Sequence, residues 1–279
     1  MTELRATVGV GEDAERIVLD GVELAFEDRG EGPALVCLHA IGHGGGDFAA
    51  LRALAGDRYR IATLDWPGQG RSGPDARPAS AERYAELLAK FLDARGLSSP
   101  ILVGNSIGGA AAILHAARQP DAVRALVLAN PGGLAPVDRT ARAFCREMAR
   151  FFRAGGRGAW WFPALFALYY RGILRRRPAR AQRARIVASG REIAGVLAEA
   201  WESFADPAAD LGPVIPSVTC PVLFTWATGD RIVSLARSRA GIEAFPNARL
   251  ERFPGGHAPF LEAPEDFAAA LDRFVGALP

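Results

Sequence analysis

A serine hydroxyl becomes a useful nucleophile only when a base takes its proton and an acid holds that base in place. Three residues of this 279-residue chain have the types and neighbours for that division of labour: Ser106 in "GNSIGG", Asp230 in "LFTWATGDRIV" and His257 in "FPGGHAPFLEAPEDF". Ser106 lies in a Gly-x-Ser-x-Gly pattern running from Gly104 to Gly108. Small residues on both sides suit a sharp strand-to-helix corner, where a raised nucleophile has strained dihedrals and little room beside it. An ordinary helix N-cap would account for the serine but not for the glycines. His257 falls in a glycine-bearing loop before the last helix, and Asp230 falls just beyond the strand-like run "PVLFTWA". Loops that follow parallel strands open on one sheet edge, so the three are expected to converge there.

An attacked carbonyl develops an oxyanion that needs hydrogen-bond donors, and backbone N–H groups serve well. The helix that starts after Ser106 offers the N–H of Ile107. The stretch "LHAIGHGGGDF" follows another strand-like run and offers the N–H of Ile41 as the second donor. The same glycines lack the Lys-Ser/Thr of a phosphate loop, which argues against nucleotide binding. Among the other histidines, His39 ends a strand and is expected to tie a loop, and His115 lies too far along its helix to reach Ser106. His43, in the glycine loop, is a candidate substrate contact.

These residues need a scaffold that alternates strands and helices. "RIVLDG" and "VELAFEDRG" read as a hairpin turning at Asp20 and Gly21, and "ALVCLH", "YRIATLD", "ILVGN", "ALVLAN", "PVLFTWA" and "ARLERF" as further strands. Helices are expected at "DFAALRALAG", at "SAERYAELLAKFLDARG" with Ser80 as N-cap and Gly96 closing it, after Ser106, at "SLARSRAGIEAF" and at "PEDFAAALDRFVGAL". The alternation predicts an α/β fold with a mostly parallel sheet flanked by helices, its cleft at the C-terminal strand edge. Residues 135–212 break the pattern: no strand-like run occurs, and arginines mix with aromatics. We expect a core of 1–134 and 213–279 with a helical cap inserted over 135–212.

Composition narrows the function. The chain carries 33 basic and 31 acidic residues, a net charge of +2, so nucleic acid is not an expected partner. Lys90 is the single lysine, a bias that reflects genome composition more than an arginine code. Cys37, Cys145 and Cys220 have neither disulfide-scaffold nor metal-site spacing, so no metal is expected, and reduced thiols fit a cytoplasmic location. The N-terminal residues lack the apolar stretch of a signal peptide. "AWWFPALFALYY" is interrupted by Pro163 and falls short of the roughly 20 residues that span a bilayer. No membrane span is expected, while attachment of "WWFPALFALYYRGILRRR" to a membrane surface stays open. Whether the chain pairs as a homodimer is also open.

From end to end the chain resembles the α/β-hydrolase-fold proteins. The resemblance rests on "LHAIG", "LDWPGQGRSG", the "GNSIGG" elbow, the "TGDRIV" acid loop and the "GGHAPFLEAPEDF" histidine loop, in that order. It implies a serine hydrolase with the triad Ser106, Asp230 and His257 and no cofactor. Dehalogenases and epoxide hydrolases of this fold use aspartate where Ser106 stands, and hydroxynitrile lyases rely on a lysine that Lys90 does not supply. "LVGNSIGGAAAILHAARQPDAVRALVLANPGGL" is similar to the hydrolases that cleave a carbon-carbon bond in ring-opened aromatic dienoates. That resemblance implies a substrate contact at Asn105 and a cap arginine among Arg183, Arg185 and Arg191, but Ala258 stands where that group usually has a tryptophan.

The expected substrate is a small or medium hydrophobic acyl compound, most simply a carboxylic ester, with Trp160 and Trp161 of the aromatic-rich cap as candidate contacts. The alternatives are the carbon-carbon hydrolase and a non-catalytic small-molecule binding protein on the same scaffold.

Overall fold

The computed structural model describes residues 14–279. The chain opens with strands Glu15–Leu19 (β1) and Val22–Arg29 (β2). Asp20 and Gly21 join them at φ 54° and 79°. A two-residue turn with both φ positive matches the twist of a hairpin. The later strands are Ala34–Leu38 (β3), Arg60–Leu64 (β4), Ile101–Asn105 (β5), Ala125–Ala129 (β6), Val222–Ala227 (β7) and Ala248–Phe253 (β8).

They form one sheet in the order β1-β2-β4-β3-β5-β6-β7-β8. β1 and β2 pair antiparallel, β2 meets β4 antiparallel, and every pairing from β4 to β8 is parallel. The fold is thus an α/β-hydrolase fold. Its strand order reverses between β3 and β5, and ligands of such sheets bind outside the C-terminal strand ends at that point. The loop bearing Ile41 leaves β3 and the corner bearing Ser106 leaves β5, so the topology sets these two neighbours side by side.

Alternate strand residues feed opposite layers, as a period of two requires. Leu35, Cys37 and Val103 face one layer with helix Ala49–Ala55 (α1) and the C-terminal helices Pro259–Glu262 (α9) and Pro264–Val275 (α10). Val36, Leu38 and Leu102 face the other with Ala81–Ala94 (α2) and Ile107–Arg118 (α3). Helix α2 shows the expected cap, the Ser80 side chain accepting from the Arg83 N–H at 3.1 Å. The helix expected at "DFAALRALAG" instead begins as a 3-10 turn over Gly45–Phe48.

Between β6 and β7 the chain forms four α-helices and no strand: Arg139–Gly156 (α4), Phe162–Ile173 (α5), Arg180–Ala188 (α6) and Gly190–Ser203 (α7). Helix Leu235–Glu243 (α8) follows β7. The inner face of α5, with Phe162, Phe166, Tyr170 and Ile173, is buried in the same layer as Phe152 of α4 and Leu197 of α7. Side-chain bonds tie these helices to the core. Gln182 of α6 donates to Asp47, and Glu199 of α7 accepts from the Ala79 N–H at 3.0 Å. Among the described residues no helix is long and apolar enough to cross a membrane.

Candidate active site

Ser106 occupies the corner between β5 and α3 with φ 53° and ψ −117°. That conformation is strained for any residue with a Cβ and is held only when the surroundings enforce it. Two glycines make it sterically feasible. A Cβ on Gly104 would lie 2.6 Å from the Gly109 Cα, and one on Gly108 would lie 2.4 Å from the Leu38 carbonyl oxygen. The serine side chain caps nothing in α3, so the glycines accompany a raised hydroxyl and not a helix cap.

Asp230 and His257 meet, as the positions of their loops predict. His257 Nδ1 donates to Asp230 Oδ2 at 2.6 Å, which leaves Nε2 as the acceptor side of a neutral ring. Both side chains are buried. Burial alone would push the imidazole below its ordinary range, but the Asp230 charge and hydrogen bond, with the Glu262 charge behind them, raise it above 6.5. The Asp230 carboxylate is held from the other side as well. Its Oδ1 accepts from the Ile232 and Val233 N–H groups at 2.7 and 3.0 Å, and its Oδ2 from Asn130 Nδ2 at 2.7 Å.

Asn130 was not legible as a functional residue. It follows β6 with φ 43°, and its Oδ1 accepts from the Ala227 N–H at 2.9 Å. Glu262 was missed too, although it stands inside the histidine-loop motif. Fully buried, it accepts from the Gly256 and His257 N–H groups at 2.6 and 3.1 Å with one oxygen. Its other oxygen accepts from the Arg175 and Arg176 N–H groups at 2.7 and 3.0 Å. This carboxylate therefore pins the base loop to the segment between α5 and α6. An asparagine closing the "ALVLAN" run and a glutamate five residues past the histidine were the available signals.

The loop after β3 is fixed by its neighbour after β4. His39 Nε2 accepts from the Trp66 N–H at 2.9 Å and its Nδ1 donates to the Ala40 carbonyl at 2.7 Å. Burial holds His39 below its ordinary pKa, outweighing the Asp65 charge, so this histidine ties a loop as its position suggests. Gln69 Oε1 accepts from the Gly42 N–H at 2.6 Å. Among the described residues, neither the Ile41 nor the Ile107 N–H has a hydrogen-bond partner.

A cavity of about 440 Å³ opens on Ser106. Ile41, Gly132, Ala141, Phe144, Trp201 and Phe204 are among its mostly apolar walls, and Arg231 and Arg237 also line it. The wall thus comes from the loops after β3 and β6, from α4 and α7, and from the stretch after β7. The substrate contacts expected from sequence lie elsewhere. Trp160 is 87% exposed. Trp161 stacks on Phe151 with ring centres 5.9 Å apart. His43 is buried and donates from Nδ1 to Asp47 Oδ2 at 2.5 Å. None of the three lines the cavity. Asn105 spends its amide on the Ala129 and His257 carbonyl oxygens at 2.8 and 3.1 Å, linking the elbow to the base loop. His115 is buried in α3, away from these groups.

A strained serine at the reversal of a parallel sheet, opening on an apolar cavity, with a buried histidine–aspartate pair on a loop that Asn105 ties to the elbow, suits a hydrolase. The chain belongs to the alpha/beta hydrolase family, whose model matches residues 35–270, and it is a hydrolytic enzyme. Over 260 residues it is 32% identical to a pimeloyl-acyl-carrier-protein methyl ester esterase of Xanthomonas campestris pv. campestris, covering 90% of this chain and 98% of the relative. A thermophilic esterase from Thermogutta terrifontis superposes with a TM-score of 0.79 at 25% identity, over 95% of this chain and 98% of that one. A hydrolase from Pseudomonas aeruginosa shares the fold with a TM-score of 0.80 at 22% identity, over 95% and 99% of the two chains.

Proposed function

We propose that this enzyme is a serine carboxylesterase acting on small to medium hydrophobic acyl esters. The observation that carries the reading is the apolar cavity ending at Ser106, whose volume of about 440 Å³ suits a small-molecule site. Ester chemistry is supported by the Xanthomonas relative, which is named for a methyl ester.

In this reading Ser106 Oγ attacks the ester carbonyl while His257 Nε2 takes its proton. Asp230 keeps the Nδ1 proton in place and stabilises the imidazolium that forms. The Ile41 and Ile107 N–H groups receive the oxyanion, each such donor contributing roughly 3 kcal/mol to the transition state. The imidazolium then gives its proton to the departing alkoxide. Water, deprotonated by His257, attacks the acyl-enzyme, and Ser106 regains its proton as the carboxylic acid leaves. Residues 135–212 act as the cap, supplying Phe144 and Trp201 to the acyl pocket.

The carbon-carbon hydrolase reading is weaker, because Asn105 is committed to two backbone carbonyls and Ala258 follows His257. A dienoate that kept its absorbance on mixing would dismiss it. The test of the esterase reading is release of p-nitrophenol from esters of increasing acyl length, beside Ser106→Ala. Turnover that peaks at one chain length and vanishes in the variant supports it. Serine-independent turnover, or none on any ester, sinks it.

A further inference from the structure

The charge of this chain is unevenly placed. Residues 135–212 contain fourteen arginines against seven acidic residues, a net +7 within a chain whose total is +2. Between Glu147 and Glu192 there are eleven arginines and no acidic residue at all. At the centre of this stretch, α5 is apolar on both sides. Its inner face packs on the core, while Leu165 and Leu168 on its outer face are 46% and 62% exposed, and Trp160 just before it is 87% exposed. At 100° per residue, Trp161, Ala164, Leu165, Leu168 and Arg171 share a stripe about 120° wide. Arg157, Arg171, Arg177 and Arg180 flank it, are exposed, and have no carboxylate partner among the described residues.

We propose that the outer face of α5 docks on an anionic phospholipid surface, with the helix axis in the plane of the membrane. A helix held by its inner face and presenting leucines and a tryptophan outward, with arginines around them, suits that interface. Indole rings sit at headgroup depth, and guanidinium groups pair with lipid phosphates. Charge complementarity decides between occupants. A second copy docking by two-fold symmetry would bring this acid-free, arginine-rich segment against itself. An acidic protein would satisfy the arginines but offers little reason for an uncharged run from Gly158 to Tyr170. The attachment is peripheral and leaves the cavity beside Ser106 accessible, since none of the stripe residues lines it.

The test is sedimentation of the full chain with extruded vesicles of phosphatidylglycerol or of phosphatidylcholine, read independently of any turnover. Binding to the anionic vesicles at low salt, and release at 0.5 M NaCl, is expected. Leu165→Ser with Leu168→Ser should lower partitioning about tenfold, and Arg171→Gln with Arg177→Gln roughly fivefold per arginine. Tryptophan emission should shift to the blue on binding, most of that shift being lost in Trp160→Phe. Unchanged melting curves establish that the variants fold. No vesicle binding, equal binding to both lipids, or anionic binding indifferent to the two leucines overturns the proposal. So does capture of an acidic protein by the same face in the absence of vesicle binding.

Discussion

Glu262 is the group whose removal should reveal how the base is held. Its carboxylate accepts four backbone N–H groups within 3.1 Å, two from the base loop and two from the start of the α5–α6 connection. Glu262→Ala leaves all four without an acceptor. The Arg175 and Arg176 donors are partly exposed and can turn to water, whereas those of Gly256 and His257 are buried. An orphaned buried donor costs about 1–3 kcal/mol, so the pair costs about 4 kcal/mol. At about 2–4 °C per kcal/mol for a chain near this size, Tm should fall by about 8–16 °C. Glu262→Gln is the milder variant. An amide can keep its oxygen on the buried pair by setting its NH2 against the Arg175 and Arg176 N–H groups, so its loss should be clearly smaller than that of Glu262→Ala. Because the alanine variant releases the His257 N–H, kcat on a p-nitrophenyl ester should fall in it with KM little changed. Thermal unfolding followed by circular dichroism, with steady-state kinetics, provides the assay. An alanine variant with the parent's Tm and kcat would refute the reasoning.

The pH profile tests the balance at His257. The raised pKa places the acid limb of kcat/KM above pH 6.5, since only the neutral ring accepts the serine proton. Asp230→Asn keeps the burial and removes the opposing charge, so the limb should move below pH 6.5 as kcat falls about 10⁴-fold; a limb that stays in place would reject the assigned cause. The same raised pKa makes the His257 contribution to stability complete below about pH 6.5 and progressively lost as pH rises through the folded value. Gly108→Ala should abolish soluble expression or cost on the order of 3 kcal/mol, because its Cβ would meet the Leu38 carbonyl at 2.4 Å and backbone cannot step aside. A urea titration matching the parent would show that the corner has slack.

Most of the sheet could be read in the sequence because buried parallel strands are short apolar runs, and β5, β6 and β7 are buried at every residue. The proposed acid was legible for the same reason, since Asp230 stands just past β7, whereas His257 follows the mostly exposed β8 and was marked instead by its glycine-bearing loop; the topology then brings the two within 2.6 Å. The helices between β6 and β7 were harder. In "AWWFPALFALYY" both faces of α5 are apolar, so composition alone does not say which side is buried. The spacing of Phe162, Phe166, Tyr170 and Ile173 marks the inner face, and it leaves Trp160 on the outside. The cavity wall was illegible for another reason. Phe144, Trp201 and Ile232 come from three segments whose meeting depends on the packing of α4 against α7 and on where β7 ends.

The tethers were hidden because most of their partners are backbone groups, which carry no sequence signature. Asn105 holds the His257 carbonyl, Asn130 holds the Asp230 carboxylate, Gln69 holds Gly42 beside Ile41, and Glu262 holds the base loop itself. None of these four lines the cavity, yet each restricts one of the loops that carry the proposed reacting and donating groups. Precise placement of such groups depends on a supporting shell of this kind. Glu262 has a further consequence, since it bridges the base loop and the chain leaving α5. A Cβ on Gly256 would lie 2.0 Å from the Ile173 carbonyl oxygen, so the end of α5 rests directly on the loop that bears His257. The end of α5 and the His257 loop are thus joined by a close backbone contact and by one carboxylate.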